Sequence, residues 1–178
     1  MGSSSCLEFK NVDPIESTQP KISITKSFTS LEEAEENKIK SNLFKLHNKL
    51  RQQYNSPPLT QNNELNEKAD EYALNIIQNK NDDENIYSGK IYGENIIITN
   101  TKDENLIFSK WEEEAKSYDF TKNKLVKEAS HFTQIIWKET KQIGIGFSSD
   151  EDKKKYCVVV LFAPPGNTLG EFAKNVTN

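Results

Sequence analysis

Apolar residues recur along this chain with two different periods, and the change from one to the other falls late in the sequence. Ile39, Leu43, Leu46 and Leu50 are three or four residues apart, which is the spacing that puts side chains on one face of a helix. Upstream, Ser30 to Glu33 (SLEE) reads as a capping box, with Ser30 as N-cap and Glu33 reaching back. The pattern therefore predicts a helix beginning at Ser30 and ending before Pro57 and Pro58. A second helix is predicted over Asn63 to Asn79, with Leu65, Ala69, Tyr72, Ala73, Ile76 and Ile77 as its stripe. A third starts near Asp103 and carries Leu106, Ile107, Trp111 and Ala115 toward Tyr118, and a short fourth spans Phe132 to Trp137.

After Lys141 the period drops to two. Ile143, Ile145 and Phe147 alternate with other residues, and Tyr156 to Phe162 is apolar almost throughout. These are two predicted strands joined by the charged turn Ser148 to Lys155. A run such as VVVLF predicts a strand covered on both faces. The polar stretch Asn81 to Lys90 predicts a loop. Ile91 to Ile98 then turns apolar, and its period assigns it no element. Helices followed by a hairpin predict an α+β domain, with helices packed on a sheet. Residues 1–29 carry Pro14, Pro20, many Ser and Thr and no steady period, so an extended N-terminal arm is expected before a domain at 30–178.

Composition narrows the function. The chain has 178 residues, enough for one domain with a sizeable core. Its formal net charge is −4, which excludes broad nucleic-acid binding through a basic face. The run Lys153 to Lys155 reads as a solvated hairpin tip. No stretch reaches the ~18 apolar residues that a membrane span requires, and MGSSSCLEFK lacks the apolar core of a secretory signal. Cys6 lies in a polar stretch and Cys157 in an apolar run, so no disulfide between them is expected and a reducing, cytoplasmic setting fits. Gly2 behind Met1 begins a myristoylation signal, although Cys6 stands where that signal has Ser or Thr. Cys6 would supply a second acyl chain, and two chains anchor where one barely does. MGSS reads equally as the remnant of an expression tag.

The chain has two histidines, His47 in LFKLHNKLRQQY and His131 in SHFTQIIWKET. Histidine binds metals and moves protons near neutral pH, but a single histidine beside aromatic residues is more often a satisfied buried group. Two acids keep them company. Glu94 follows Gly93, whose flexibility allows a bend that aims the carboxylate inward. Glu114 lies close to the stripe marked by Trp111 and Ala115, whereas Glu112 and Glu113 read as a solvated face.

These segments resemble the CAP superfamily of cysteine-rich secretory, antigen 5 and pathogenesis-related proteins. HFTQIIWKETKQIGIGF is similar to the first family signature and FAPPGN to the second. HNKLRQQYNSPPL resembles the first helix and its exit, YGENI the central acid motif and KWEEEAKSYDF the third helix. The resemblance covers residues 35–175. It implies a three-layer α-β-α sandwich with a central cleft, in which a tetrad of His47, Glu94, Glu114 and His131 holds a divalent metal, most often zinc. Glu114 takes its place as the third residue after the tryptophan. Imidazole suits zinc, and carboxylates orient the rings or hold a metal-bound water.

Val160 and Phe162 stand where the secreted branch has a cysteine and a tyrosine, so the usual disulfides of that branch are not expected. The resemblance is to the intracellular, Golgi-associated branch and to the non-secreted venom-allergen-like proteins of parasitic worms. It implies N-terminal acylation, attachment to the cytosolic face of Golgi membranes and a homodimer. Unconventional secretion is the alternative localisation. The implied activity is non-enzymatic binding of lipid or sterol, with the sterol loop at Tyr118, Phe120 and Leu125. That loop is lysine-rich (Lys122, Lys124, Lys127), and core packing accounts for its aromatics equally well. The acidic charge balance counts against direct adhesion to anionic lipid heads. The competing readings are a metal-dependent hydrolase, for which no G-x-S-x-G or H-E-x-x-H motif is present, and a dimerising scaffold. Asn175 and Thr177 form a glycosylation sequon, read as chance in a chain without a secretory signal.

Overall fold

A computed structural model describes residues 21–78 and 91–178, with side chains from residue 31 onward. Gly2, Cys6 and the loop expected at Asn81 to Lys90 lie outside the described residues. The backbone divides into two units, Met1–Glu33 and Ala34–Asn178, and the site lies wholly in the second. Helix α1 covers Lys21–Gln53. It does not start at Ser30, which sits within the helix and is not its N-cap. No Gly or Pro interrupts the sequence between Lys21 and Gln53. Extending an existing helix adds a hydrogen bond without a new nucleation cost, so a capping signal alone does not set the boundary.

The remaining elements are β1 (Thr60–Gln61), α2 (Asn63–Ile77), β2 (Gly93–Thr99), α3 (Glu104–Glu113), α4 (Ser130–Ile135), β3 (Gln142–Ser149), β4 (Tyr156–Ala163) and α5 (Phe172–Asn175). Asn62 caps α2 by accepting from the Leu65 N–H, and Asp103 caps α3 by accepting from the Asn105 and Leu106 N–H groups. The strands form one sheet in the order β1-β3-β4-β2. β3 and β4 are the expected antiparallel hairpin, and Lys153 to Lys155 at its tip are exposed. β2 pairs antiparallel with the far side of β4. Periodicity misses β2 because its buried positions include the polar Asn95 and Thr99, while Ile98 is exposed.

β4 divides the core into two layers. Cys157, Val159 and Leu161 pack on the α2 side with Leu65, Ala69, Tyr72, Ala73 and Ile76. Val158, Val160 and Phe162 point the other way, into a larger cluster built from α1, α3, α4 and α5. The fold is thus an α-β-α sandwich. α2 lies directly on β3: a Cβ on Gly144 would stand 2.2 Å from the Leu65 backbone, and one on Gly146 would stand 2.1 Å from the Ala69 backbone. β1 pairs only with Gln142 and Ile143 of β3. Beyond that point α2 takes over the strand edge, with Asn66 Oδ1 accepting from the Ile145 N–H at 2.9 Å and Asp70 Oδ1 from the Phe147 N–H at 3.1 Å.

Arg51 ties the layers around the site together. Its side chain is fully buried and donates to the carbonyls of Pro57 (2.6 Å), Ile135 (2.7 Å), Trp137 (2.8 Å) and Thr140 (3.1 Å). The end of α1 is therefore pinned to the end of α4. His47 lies one turn before Arg51, and His131 lies in the first turn of α4, so this clamp fixes the frame that both histidines share.

Candidate functional site

His47 projects from α1 into the larger core cluster and is 0% exposed. Its Nδ1 lies 2.8 Å from the Leu43 carbonyl. A carbonyl only accepts, so Nδ1 carries the proton and Nε2 is the bare nitrogen. Nε2 is buried with no hydrogen-bond partner among the described residues. The ring stands in an aromatic cage, with centroids 4.9 Å from Phe108, 5.9 Å from Trp111 and 5.8 Å from Phe162. Burial lowers its pKa from 6.5 to about 4; the Leu43 carbonyl opposes that shift and the Arg51 charge adds to it. His47 is therefore a neutral ring at physiological pH.

His131 opens α4 and is more accessible, with 38% of its side chain exposed. Its Nδ1 donates to Glu114 Oε1 at 2.6 Å. Glu114 Oε2 accepts from the backbone N–H of His131 at 3.0 Å and of Phe132 at 3.1 Å. Ala129, at the N-cap position of α4, provides no side-chain cap. Glu114 supplies one from the 3₁₀ turn Glu114–Ser117 that follows α3, where a carboxylate also complements the positive end of the helix dipole. In the neutral ring, donation from Nδ1 leaves Nε2 of His131 bare as well.

Glu94 sits in β2 opposite Leu161 and is half-buried. Its neighbour Asn95 is buried and donates from Nδ2 to the His131 carbonyl at 3.1 Å. Of the four expected tetrad residues, the structure joins His131 and Glu114 directly. Trp111 lies beside both imidazoles, its centroid 5.9 Å from His47 and 6.3 Å from His131. Among the described residues, no group of three or more His, Cys, Asp and Glu side chains is gathered so as to hold a metal ion. Sequence reasoning recognised Trp111 only as part of a buried stripe and missed Asn95, a polar residue hidden in an apolar run.

The loop residues expected to meet a sterol are placed differently from one another. Tyr118 is 6% exposed and packs with Phe120 (4.9 Å), Phe132 and Phe172 (both 6.4 Å). Phe120 also stacks on Tyr54 at 5.9 Å. Tyr118 belongs to the core, Phe120 is half-buried and packs against it, and Leu125 is 43% exposed. A groove of about 690 Å³ lies elsewhere, along the outer face of α1, and its lining includes Phe44, Lys45, Lys49, Gln52 and Pro58. Neither the tetrad nor Tyr118, Phe120 or Leu125 lines it.

Cys157 is a free buried thiol whose pKa burial pushes up to about 12, which leaves it inert at neutral pH. Asn175 of the sequon is fully buried; its Oδ1 accepts from the Glu139 N–H at 2.9 Å and its Nδ2 donates to the Glu171 carbonyl at 3.1 Å. That amide is not presented to a glycosylating enzyme in the folded chain.

A family model for CAP, the cysteine-rich secretory protein family, matches residues 44–162. Golgi-associated plant pathogenesis-related protein 1 from Homo sapiens is 30% identical over 138 residues, covering 75% of this chain and 89% of that protein. Protein PRY2 from Saccharomyces cerevisiae is 34% identical over 95 residues, but the match spans only 27% of its length. Venom allergen-like protein 4 from Schistosoma mansoni has a solved structure that aligns with a TM-score of 0.59 and 25% identity, covering 72% of this chain and 89% of the other. The structure of NaASP2 with Zn2+ aligns with a TM-score of 0.51 at 19% identity, covering 74% and 82% of the two chains.

Proposed function

Since the chain belongs to the CAP family of cysteine-rich secretory proteins, we propose that it is a non-enzymatic binding module whose two histidines hold a divalent cation, zinc by preference, and which binds lipid or sterol at a membrane. The observation that supports this most is the shared orientation: both rings donate through Nδ1, so in the neutral form of each ring the Nε2 lone pair is left for a ligand. The buried, unpartnered Nε2 of His47 fits a metal, as does a nitrogen donor set flanked by carboxylates. His47 and His131 would be the nitrogen ligands, Glu114 orients His131, and Glu94 is the remaining tetrad carboxylate. A bound ion there would offer Lewis acidity and open positions to an oxygen-bearing ligand. The proteins compared above include one solved with Zn2+.

Covalent catalysis by a side-chain nucleophile is disfavoured because neither imidazole hydrogen-bonds to a hydroxyl or thiol among the described residues. The nucleophile–base pair that covalent catalysis needs is not formed there. Membrane association is supported by the human relative's Golgi-associated name. Among the described residues, no helix is long and apolar enough to cross a membrane, so attachment would come from acylation at Gly2 and Cys6. A lipid or sterol engaging the loop would meet the exposed Leu125 and the half-buried Phe120 before Tyr118, which lies in the core. Calorimetric zinc titration of the wild type, His47→Ala and His131→Ala tests the reading. Binding is expected in the wild type and lost in both variants, and equal binding in all three would sink the metal site.

A further inference from the structure

We propose that Trp111 is a positioning residue that controls access to His47: its indole closes the buried imidazole off from His131 and must turn aside before one ion can be shared between the two rings. This rests on the reading of the histidines as cation ligands. His131 is the outer imidazole, with 38% of its side chain exposed, whereas His47 is fully buried. An ion arriving from water therefore meets His131 first. Three aromatic rings pack against His47, and they are not equivalent. Phe162 lies in β4 between β2 and β3, paired with Gly93 on one side and Ile143 on the other. Phe108 is held in the middle of α3, on its buried face. Trp111 alone of the three also packs against His131, its centroid 6.3 Å away. The indole therefore touches both the outer and the inner imidazole.

The backbone beneath Trp111 is linked to His131. α3 ends at Glu113, and the chain tightens into a 3₁₀ turn beginning at Glu114. Such a tightening is common at the C-terminal end of an α-helix. Glu114 is bound to the His131 ring and to the first N–H groups of α4. A shift of the His131 ring on binding an ion would therefore be passed through Glu114 to the end of the helix that carries Trp111.

The chain has two tryptophans, Trp111 and Trp137, so fluorescence can isolate the cover. In Trp137→Phe, zinc titration should change the emission of the remaining Trp111. In Trp111→Phe, zinc uptake followed with a competing chelating dye should be faster than in wild type by about tenfold, equivalent to about 1.4 kcal/mol in barrier. The wild-type rate should level off at high zinc, as expected when a conformational step limits entry. His47-dependent binding by calorimetry, with unchanged Trp111 emission and equal uptake rates, overturns the cover and leaves the metal site standing. If Trp111→Phe fails to fold, the emission of Trp137→Phe decides alone. Absence of zinc binding in the wild type overturns both proposals.

Discussion

Glu114 holds His131 twice over, with one carboxylate oxygen on the ring Nδ1 at 2.6 Å and the other on the backbone N–H groups of His131 and Phe132 at 3.0 and 3.1 Å. The same side chain thus orients an imidazole and caps a helix.

Glu114→Gln tests both roles at once. Glutamine keeps one carbonyl oxygen and replaces the other with an amide that cannot accept. Either the ring or the backbone N–H groups lose their partner. Stability should fall by about 1–3 kcal/mol, read by urea denaturation. Zinc affinity should fall by about 10–100-fold, as is typical when the group orienting a ligating histidine is lost. Unchanged affinity with lowered stability would confine Glu114 to helix capping.

His47 gives the fold a pH dependence of definite sign. Its folded pKa of about 4 lies below the unfolded value of 6.5. Above pH 6.5 both states are neutral and the full stability is present. As pH falls from 6.5 through 4, the unfolded chain takes up a proton that the folded chain refuses, and stability is lost. The loss should approach about 3 kcal/mol at the acid end. His47→Leu should flatten that part of the profile, while an unaltered slope would place the linkage elsewhere.

Arg51 satisfies four carbonyls from a fully buried position. Arg51→Lys keeps a charge but offers three donors from a single atom, where the guanidinium spreads five across a planar fork. A cost of about 2–4 kcal/mol is expected from stranded carbonyls and the misplaced charge. Arg51→Met removes every donor and should cost more. A thermal melt of both variants checks the order, and equal stability of Arg51→Lys with wild type would show that the fork geometry does not matter.

The glycines separate close approach from backbone conformation. Gly144→Ala and Gly146→Ala push a methyl group into α2 backbone at 2.2 and 2.1 Å. Each should cost at least about 1–3 kcal/mol, the usual range for overpacking, because the obstacle is backbone and cannot rotate away. At Gly170 a methyl group meets nothing within 4 Å, and the obstacle is instead a φ of +87°. Gly170→Ala should cost only about 1–2 kcal/mol of strain. A larger loss at Gly170 than at Gly144 would reverse this ranking.

The hairpin and the α2 stripe were legible in the sequence because their neighbours impose regular burial. Cys157 to Phe162 alternates between two apolar layers, so every position is apolar. Strand β2 was illegible for the converse reason. Asn95 is buried because it bonds the His131 carbonyl, a contact 36 residues away that no local pattern records. Helix α1 runs through its SLEE capping signal, because a capping signal does not stop a helix that already extends upstream of it. In the site, the resemblance put Glu114 and His131 in one cleft, but their bond spans 17 residues and no periodicity reports it. Trp111 beside the two rings belongs to the same class of information: its spacing says only that it is buried, and what it is buried against is decided by how α3 meets α1 and α4.

Asn66 and Asp70 of α2 stand where another strand would otherwise lie alongside β3. Unpaired strand flanks invite other chains to stack onto them. Here two side chains one helical turn apart take up two N–H groups that such stacking would use, and the two glycines let the helix come near enough to do so. Along this stretch, protection against cross-chain zippering is built from a helix.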